Sequence, residues 1–484
     1  MSDQTPGKLQ FAGTAQAIAW HARHAPDASA IVEMGERFSY LGCARMLAGW
    51  VRYLEVAGVR PGMLVGVEIG PRRPLHLMLF LACEVIGATA AAFAQTDRFE
   101  EDPVLPGCDL LVLTSPPAQR YPQAAIIVPA AVPDSDDWLA LERLPEMSRI
   151  VRISRTSGST GRQKAVPISY EIQQRIVNQR WAYLPATIRR APRLLCLYRL
   201  GVRAFYTRVY MTLQAGGTVV FAAEEQAPAL LQAGAINWLP MILGHAEAVA
   251  RQTARVPPGT AILVEPIGAR TSQSLRNLIT GRLGAEIHSN YSSNEVNTIA
   301  YIGEDDVGVL CSGVDVRIVD DSGRDLPAGE IGMICVRTTT MADGYWNDPA
   351  LTATAFVDGW YRTADSGFVP EPGKIVVLGR ADDMLNIGGI KLPPAPIEDE
   401  IRQIGGVLDA VLLTTADAGS ANALVVAVEL DPVAVAESLR PRIDRIVARY
   451  VRSFHLFPLP SFPRTENGKI RRGEIDAAFR RQQR

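Results

Sequence analysis

The chain has 484 residues, of which 48% are hydrophobic and 21% are charged, and its formal net charge is -2. These values are close to the averages of globular proteins, so they exclude a disordered chain and argue against a basic nucleic-acid-binding protein. With roughly 150 residues per domain as a guide, the length predicts two or three structural units.

The cysteines and the N-terminus bear on the compartment. Six cysteines are spread along the chain without a CxxC pair, and most lie in apolar runs. This pattern predicts buried free thiols in a reducing compartment rather than disulfides or a zinc site. The N-terminal stretch MSDQTPGKLQ has no basic region followed by an apolar one, so no secretory signal is predicted. We therefore expect a cytoplasmic protein.

The first part of the chain alternates helical and strand patterns. A helix is predicted from Phe38 to Ala57, a short strand follows in MLVGVEI, and a long apolar stretch covers residues 75–93. That stretch has the length of a membrane span, but Glu84 and Gly87 interrupt it. We interpret it as a buried helix that ends near Gly87 and a core strand after it, and we expect no membrane span.

Later segments complete the predicted architecture. GGTVVFA and AILVEPIG are predicted as buried strands, and VDVRIVDDSGRDLPAGEIGMICVR is predicted as a β-hairpin of a β-rich subdomain. The predicted fold class is α/β, with a large N-terminal domain of doubly wound sheets and a small α+β C-terminal domain. We place the boundary at residues 379–382, which gives domains 1–380 and 381–484.

A polar loop, TSGSTGRQKA, occupies residues 156–165. Backbone N–H and hydroxyl groups of such a segment can converge on phosphate oxygens, and Lys164 adds a positive charge. The segment lacks the GK[ST] ending of a Walker loop, and Ser/Thr/Gly segments are also common in ordinary loops. From these residues alone, a phosphate-binding loop and a plain loop both remain open.

Together with other segments, this loop resembles the adenylate-forming superfamily: AMP-forming acyl-CoA synthetases, aryl acid ligases and the adenylation domains of nonribosomal peptide synthetases. The loop resembles the motif TSGSTGxPKG, with Gln163 and Ala165 replacing proline and glycine. The motif GWxxTGD appears as GWYRTAD, with Ala364 replacing glycine. The other motifs are YGxTE as YSSNE from Tyr291, GYxxxP as GYWNDP from Gly344, GRxDDxxxxxG at residues 379–389, and PRTxxGKxxR at residues 463–472. The resemblance covers nearly the whole chain.

The resemblance implies an activity and its reactants. In this superfamily a carboxylate attacks the α-phosphate of ATP to give an acyl-adenylate and pyrophosphate, and a thiol then displaces AMP. The expected reactants and cofactors are a carboxylic acid, ATP, Mg²⁺ and CoA as the acceptor. The phosphopantetheine of a carrier protein acting in trans is the alternative acceptor, because both acceptors present the same thiol arm. No nucleic acid partner is expected.

The resemblance also assigns roles to residues. Glu295 would hold Mg²⁺, and Lys469 would reach the α-phosphate and the carboxylate in the adenylation step. Tyr291 would stack on adenine, with Gly268 and Ala269 as the other wall. The remaining nucleotide contacts are predicted at Thr156, Ser157, Gly158, Ser159, Thr160, Gly161, Lys164, Asn294, and, for the ribose hydroxyls, Asp365 and Arg380.

A mobile C-terminal domain is a further implication of the resemblance. The domain would pivot at Asp382 after adenylation, remove Lys469, and present the loop around Gly389 to the thiol. The DD and GG pairs of this segment could instead mark an ordinary turn.

Substrate choice depends on the segment LYRLGVRAFYTRVY, which lacks the FHxxG motif of many acyl-CoA synthetases. Counting back from the glycine pair at 216–217 places Arg203 where amino-acid-activating relatives have an aspartate. An arginine there would repel an ammonium group and would need a partner. We hypothesise that the substrate is not an α-amino acid and that Arg203 pairs with a distal carboxylate or polar group. The alternative is that Arg199, Arg203 and Arg208 line an exposed helix face.

Two other classes of protein remain open. The departures at Gln163, Ser292, Asn294 and Ala364 would suit a non-catalytic nucleotide-binding homologue, although the retained charged residues argue against it. The C-terminal arginines could form a basic tail that docks an acidic partner or nucleic acid. These arginines are Arg471, Arg472, Arg480, Arg481 and Arg484.

Overall fold

The structure is a computed structural model, and it describes residues 9–70, 73–143, 146–156, 163–254, 256–257, 259–268, 270–381, 384–387, 390–415, 423–431, 434–464 and 470–482. The elements up to residue 196 are α1 (Thr14–His24), β1 (Ser29–Glu33), β2 (Glu36–Ser39), α2 (Tyr40–Val56), β3 (Leu64–Glu68), α3 (Arg73–Ile86), β4 (Thr89–Phe93), β5 (Leu110–Leu113), β6 (Ala124–Ile127), β7 (Ile150–Thr156), β8 (Lys164–Ser169), α4 (Tyr170–Tyr183), α5 (Ala186–Arg189) and β9 (Arg193–Cys196).

The following elements reach residue 380. They are α6 (Arg203–Gln214), β10 (Thr218–Phe221), α7 (Ala227–Gln232), β11 (Trp238–Ile242), α8 (Leu243–Gln252), β12 (Leu263–Ile267), α9 (Gln273–Leu283), β13 (Glu286–Ile287), β14 (Ser289–Ser293), β15 (Asn297–Ile302), β16 (Gly308–Leu310), β17 (Val314–Val319), β18 (Gly332–Thr338), α10 (Pro349–Ala355), β19 (Phe356–Val357), β20 (Trp360–Phe368) and β21 (Lys374–Arg380). The last part of the chain contributes β22 (Leu385–Ile387), β23 (Ile390–Leu392), α11 (Pro394–Arg402), β24 (Val407–Thr415), β25 (Ala423–Leu430), α12 (Ala436–Val447), β26 (Phe454–Leu459) and α13 (Arg472–Gln482).

Two largely parallel sheets form most of the N-terminal part. One sheet has the order β6-β5-β3-β4-β7-β8, and the other has the order β13-β12-β11-β9-β10-β1-β2. Only the edge pairs β7–β8 and β1–β2 are antiparallel within these sheets. One hydrophobic cluster joins residues of both sheets with residues of α1, α2, α3 and α6. Helices packed between two parallel sheets confirm the predicted doubly wound architecture.

The apolar stretch at residues 75–93 is a core helix and a core strand, as predicted. Helix α3 is buried at 12 of its 14 positions, and it ends where Gly87 adopts a φ of +85°. Every residue of β4 is buried. Burial on all sides explains why both segments are apolar throughout instead of amphipathic. No helix among the described residues is both long and apolar enough to cross a membrane.

Glu84 is the one acidic group buried within α3, and neighbouring helices surround it. The side-chain amide of Gln173 on α4 donates to its carboxylate at 3.0 Å. Burial raises the pKa of Glu84 to about 7, against the opposing effects of Gln173 and Arg152. The guanidinium of Arg152 lies 3.5 Å from the ring centre of Phe80 and 4.3 Å from that of Tyr206. Because the pKa of the buried Glu84 is raised, the stability of the large domain depends on pH.

We expect Glu84→Gln to raise the melting temperature more at pH 8 than at pH 5. The pKa of Glu84 is about 7 in the folded protein, against a reference of 4.5, so the folded state keeps a proton that the unfolded state has released. Stability therefore falls as pH rises from about 4.5 to about 7 and stays lower above, by on the order of 3 kcal/mol. Thermal melting across pH measures the effect. Glu55→Gln, at an exposed position of α2, is the control, and an equal shift at both pH values would contradict the prediction.

A separate antiparallel sheet confirms the predicted β-rich subdomain. Its order is β14-β15-β16-β21-β20-β18-β17, and β19 pairs with β20. The predicted hairpin is the pair β17–β18, in which Val314 lies opposite Thr338. A separate hydrophobic cluster lies on this sheet and includes Ile299, Ile334 and Ile375. The sheet brings together residues that are far apart in the chain.

The C-terminal part is a small α+β unit, as predicted. Strands β24, β25 and β26 form its sheet, with α11, α12 and α13 packed against them, and β22 and β23 form a short hairpin before it. Strand β21 ends at Arg380, next to the predicted boundary at 379–382, whose position stays a prediction. The six cysteines are free and buried, which agrees with the predicted thiols.

Candidate nucleotide-binding site

The predicted phosphate loop joins two antiparallel strands. Thr156, at the end of β7, pairs with Lys164, at the start of β8. The predicted contacts Ser157, Gly158, Ser159, Thr160 and Gly161 lie outside the described residues. The Nζ atom of Lys164 lies 5.2 Å from the ring centre of Tyr345. The described ends of the loop thus direct a cation toward the segment that contains Tyr345.

Glu295 lies among aromatic hydroxyl groups. Its side chain is buried, with 5% of the residue exposed, so Glu295 is not a solvated surface glutamate. The hydroxyl of Tyr345 donates to Oε1 of Glu295 at 2.9 Å. Burial raises the pKa of Tyr345, and the negative charge of Glu295 raises it further. The tyrosine therefore remains a neutral donor that fixes the carboxylate.

Tyr345 is a site residue that sequence reasoning missed. It belongs to the quoted GYWNDP segment, which was matched as a motif without a role for its tyrosine. The backbone N–H of Trp346 donates to the carbonyl of Ala165 at 2.8 Å, which ties this segment to the strand after the phosphate loop. The motif match was the available signal, but only the fold shows which carboxylate the tyrosine meets.

The predicted adenine and ribose residues meet in the antiparallel sheet. Asp365 on β20 and Arg380 on β21 are paired in register, and Nη1 of Arg380 lies 3.7 Å from Oδ1 of Asp365. The hydroxyl of Tyr291 on β14 donates to Oδ2 of Asp365 at 2.6 Å. Burial raises the pKa of Tyr291, and the charge of Asp365 raises it further. Three motifs separated by up to 89 positions thus form one cluster.

Ala364 occupies a backbone conformation that favours glycine. Its φ is +60°, and it directly precedes Asp365 on β20. The left-handed region costs an L-residue about 1–2 kcal/mol. The departure from the GWxxTGD motif is therefore accommodated at the expense of backbone strain beside the proposed ribose site.

We expect Ala364→Gly to raise the melting temperature by about 1–3 °C. Relief of about 1–2 kcal/mol of strain outweighs the greater chain entropy of glycine, which costs about 0.5–1 kcal/mol. Ala353→Gly, at an exposed position within α10, is the matched control and should lower the melting temperature. Thermal unfolding of both variants beside the wild type measures this, and a lower melting temperature for Ala364→Gly would refute the prediction.

Gly268 and Asn294 are the remaining described nucleotide-contact predictions. Gly268 has a φ of +98° and no atom within 4 Å of the position that a Cβ would take, so its backbone is open to close approach. Ala269 lies outside the described residues. The side-chain amide of Asn294 donates to the carbonyl of Arg155 at 3.4 Å. Asn294 directly precedes Glu295, and this hydrogen bond therefore connects it to β7, the strand before the phosphate loop.

Arg203 and Arg208 are buried, so the alternative of an arginine-lined exposed helix face is wrong. Their exposed fractions are 3% and 1%, whereas Arg199 is exposed and precedes the helix. Arg208 pairs with Glu265 at 2.6 Å. Nη1 of Arg203 donates to the backbone carbonyl of Asn294. The first residue of α6 is thereby attached to the segment that contains Glu295.

Lys469 lies outside the described residues, as do Asp382 and Gly389. The described residues on both sides of Lys469 are held together: Arg464 and Ile470 form an antiparallel bridge. Arg464 contacts Asp409 at 2.7 Å and Glu429 at 2.9 Å. These contacts attach Arg464 to the C-terminal sheet, through Asp409 on β24 and Glu429 on β25.

The C-terminal arginines mostly have partners inside their own domain, which counts against a free basic tail. Arg472 contacts Glu398 at 2.8 Å. Arg471 and Arg480 pair with Glu474 and Asp476 along the same chain segment, both at 2.8 Å. Arg481 is exposed, and Arg484 lies outside the described residues.

The chain is similar in sequence to known proteins. A family model described as "AMP-binding enzyme" matches residues 111–346. Feruloyl-CoA synthase from Amycolatopsis sp is 26% identical over 499 aligned positions, which cover 95% of this chain and 97% of that protein. Phenyloxazoline synthase MbtB from Mycobacterium tuberculosis (strain CDC 1551 / Oshkosh) is 27% identical over 497 aligned positions, which cover 94% of this chain but 34% of MbtB.

A solved structure has the same fold. It is O-succinylbenzoate coenzyme A synthetase (MenE) from Bacillus subtilis in complex with ATP and magnesium ion, with a TM-score of 0.78 and 18% identity. The match covers 95% of this chain and 99% of that one. Full-length similarity to ligases, the AMP-binding match and the meeting of the motif residues agree with one another. The family-model match and the similarity to feruloyl-CoA synthase along nearly the whole chain together support the adenylate-forming superfamily as the family of this chain.

Proposed function

We propose that the protein is an acid–thiol ligase that activates a carboxylic acid with ATP, releases pyrophosphate, and transfers the acyl group to a thiol with release of AMP. The observation that carries the proposal is the cluster of Tyr291, Asp365 and Arg380, which three separate motifs contribute to one sheet. A carboxylate beside an arginine and an aromatic ring suits the hydroxyl groups and the base of a nucleoside.

The nucleotide would extend from this cluster toward the phosphate loop. Asp365 accepts hydrogen bonds from the ribose hydroxyls, and Tyr291 lies against adenine, with Gly268 and Ala269 opposite. The phosphates would be surrounded by Thr156, the loop residues from Ser157 to Gly161, Lys164 and Asn294. Since Lys164 lies near Tyr345, and Tyr345 contacts Glu295, the cation and the carboxylate lie at the phosphate end.

In the first step, a carboxylate oxygen of the acid attacks the α-phosphorus of ATP. The bond from the α-phosphorus to the bridging oxygen breaks, and pyrophosphate leaves with its electron pair. Negative charge develops on the α-phosphate and is stabilised by fixed donors, of which Lys469 is the proposed mobile one. Transfer follows when the thiol, after losing its proton to solvent, attacks the acyl carbon and AMP leaves.

Glu295 suits a magnesium ion bound together with the phosphates of ATP. Mg²⁺ usually takes one or two protein carboxylates and completes its shell with phosphate oxygens and water. No group of three or more His, Cys, Asp or Glu side chains that could hold a metal ion occurs in the described part of the chain. When bound, the ion neutralises charge on the phosphates; Tyr345 orients the carboxylate that holds it.

CoA is the acceptor that we favour. The names of feruloyl-CoA synthase and O-succinylbenzoate coenzyme A synthetase support it, since both relatives match over nearly their whole length. The alternative is a carrier-protein phosphopantetheine in trans, in keeping with the match to one third of the longer synthase MbtB. The proposal also includes a mobile C-terminal domain that pivots at Asp382 and presents the loop around Gly389 to the thiol. We further propose a cytoplasmic location.

A pyrophosphate-release assay tests this function. Purified protein is incubated with ATP, Mg²⁺ and hydroxylamine across aryl, short aliphatic, long-chain, dicarboxylic and amino acids. We expect release with at least one class and, on addition of CoA, a thioester. A thioester with carrier phosphopantetheine but not with CoA would favour the alternative acceptor. ATP binding without release across the panel would favour the non-catalytic homologue.

A further inference from the structure

Arg203 has an unused hydrogen-bonding edge inside the protein. Its Nη1 atom donates to the carbonyl of Asn294, next to Glu295. Its Nε and Nη2 atoms are also buried, and neither has a hydrogen-bond partner among the described residues. An arginine is always charged at physiological pH, so a buried cation is left with two unsatisfied donors.

The surrounding charges do not balance this cation. Arg180 on α4 and Arg208 on α6 are buried nearby, while the buried carboxylates near these arginines are Glu265 and Glu295. Glu265 is taken by Arg208, and the pKa of Arg180 falls to about 10 because of burial and then repulsion from Arg208. Among the described residues, the three buried guanidinium groups of Arg180, Arg203 and Arg208 thus have two buried carboxylates nearby, Glu265 and Glu295. Burial of charge without a partner costs several kcal/mol, so the arrangement suits an anionic ligand.

The geometry of the free edge identifies the anion. The Nε–H and Nη2–H bonds of a guanidinium are parallel and lie on one side, so that a single carboxylate can accept both. Arg155 of this chain uses that edge: its Nε lies 2.6 Å from Oδ2 of Asp102 and its Nη2 lies 2.8 Å from Oδ1. Arg203 offers the same edge without a carboxylate from the described residues.

We propose that the free edge of Arg203 binds a second carboxylate of the acid, so that the substrate is a dicarboxylic acid. This inference rests on the proposed ligase function. One carboxylate attacks ATP, while the other stays ionised against Arg203 and undergoes no reaction. A hydroxyl or carbonyl group in that place would leave the excess positive charge uncompensated, and an ammonium group would be repelled.

Matched acid pairs test the inference. Saturated dicarboxylic acids of four to eight carbons and phthalic, isophthalic and terephthalic acids are each compared with their monomethyl esters in the pyrophosphate assay, as kcat/KM. We expect the wild type to prefer at least one diacid over its ester by about 10- to 100-fold, the value of a charge-assisted hydrogen-bonded pair. Arg203→Met should abolish the preference by slowing the diacid alone. Arg203→Lys keeps the positive charge but loses the two parallel N–H donors of the guanidinium. Its preference for the diacid over the ester should therefore lie between those of the wild type and Arg203→Met. Arg282→Met, at an exposed position of α9, is the matched control.

Direct binding separates this inference from the ligase function. Calorimetric titration with the same diacids should show binding to the wild type and not to Arg203→Met. Preference for a diacid that survives in Arg203→Met, or equal use of acids and esters by the wild type, would overturn the inference while leaving the function standing. Diacid binding that depends on Arg203 without pyrophosphate release would support the inference and overturn the function. If no diacid binds or reacts, the inference is wrong.

Thermal melting distinguishes a binding role from a structural one. Without ligand, Arg203→Met should melt at or above the wild-type temperature, because it removes an incompletely paired buried charge. Addition of the preferred diacid should raise the melting temperature of the wild type and not that of the variant. A ligand-free variant that melts several degrees lower would contradict the binding role and indicate that Arg203 is needed for folding.

Discussion

Lys469→Ala is expected to lower the rate of adenylation by about 10²- to 10³-fold, the usual effect of removing one donor from a developing oxyanion. Arg464 contacts Asp409 and Glu429 on the C-terminal sheet and forms a bridge with Ile470. These contacts hold the described residues on both sides of Lys469 in place. The loss should therefore be local to one ammonium group. Pyrophosphate release at saturating ATP and acid measures it.

The second half-reaction supplies the internal comparison for Lys469→Ala. Thioester formation from a chemically prepared acyl-adenylate should keep its wild-type rate within about threefold, because the proposed thiol step does not use this lysine. Lys374→Ala, at a surface lysine paired with Glu371, is the matched control and should leave both steps unchanged. Equal losses in both half-reactions would show that the lysine acts through the fold of its domain, against the proposed role.

Asp365→Ala is expected to raise the KM for ATP by about 10- to 100-fold, because two hydrogen bonds from the ribose to an ionised acceptor are lost. The variant also removes the carboxylate beside Arg380 and the acceptor of the Tyr291 hydroxyl, which loosens both neighbours. The KM for the acid should change by less than about threefold, since the proposed contacts of Asp365 are with the ribose and not with the acid. Steady-state kinetics with each substrate varied separately measure the two constants.

Asp315→Ala is the control for Asp365→Ala. Asp315 lies in the same sheet and pairs with Arg337 at the surface at 2.9 Å, and an exposed ion pair contributes only about 0–1 kcal/mol. A similar rise of both KM values in Asp365→Ala would indicate general damage to the sheet. An unchanged KM for ATP would remove Asp365 from the nucleotide site.

Much of the fold follows from local sequence patterns. The buried helix and strand at residues 75–93 were recognisable because an apolar run broken by Glu84 and Gly87 has only a few compatible arrangements. The hairpin of β17 and β18 was recognisable from its turn residues between two alternating runs. Helix α3 and strand β4 are buried on both sides, so their apolar composition alone predicts that they lie in the core.

The site was less predictable because its contacts join distant parts of the chain. Motif resemblance singled out Tyr291, Asp365 and Arg380, yet the hydrogen bond from Tyr291 to Asp365 depends on the order β14-β15-β16-β21-β20 in one sheet. The role of Tyr345 was missed for the same reason, since nothing local relates it to Glu295. The strain at Ala364 is likewise a property of the folded backbone.

Local sequence features are enough to predict an α/β protein that resembles the adenylate-forming superfamily, because periodicity, composition and ordered motifs are properties of short segments. The burial and the hydrogen bonding of Arg203, in contrast, depend on the tertiary fold. By spacing alone, Arg199, Arg203 and Arg208 could equally line an exposed helix face. The packing of α6 between the sheets buries two of these arginines, and the position of the Asn294 carbonyl decides which edge of Arg203 stays unsatisfied. Burial and hydrogen-bond completion arise from long-range packing, which no local pattern encodes.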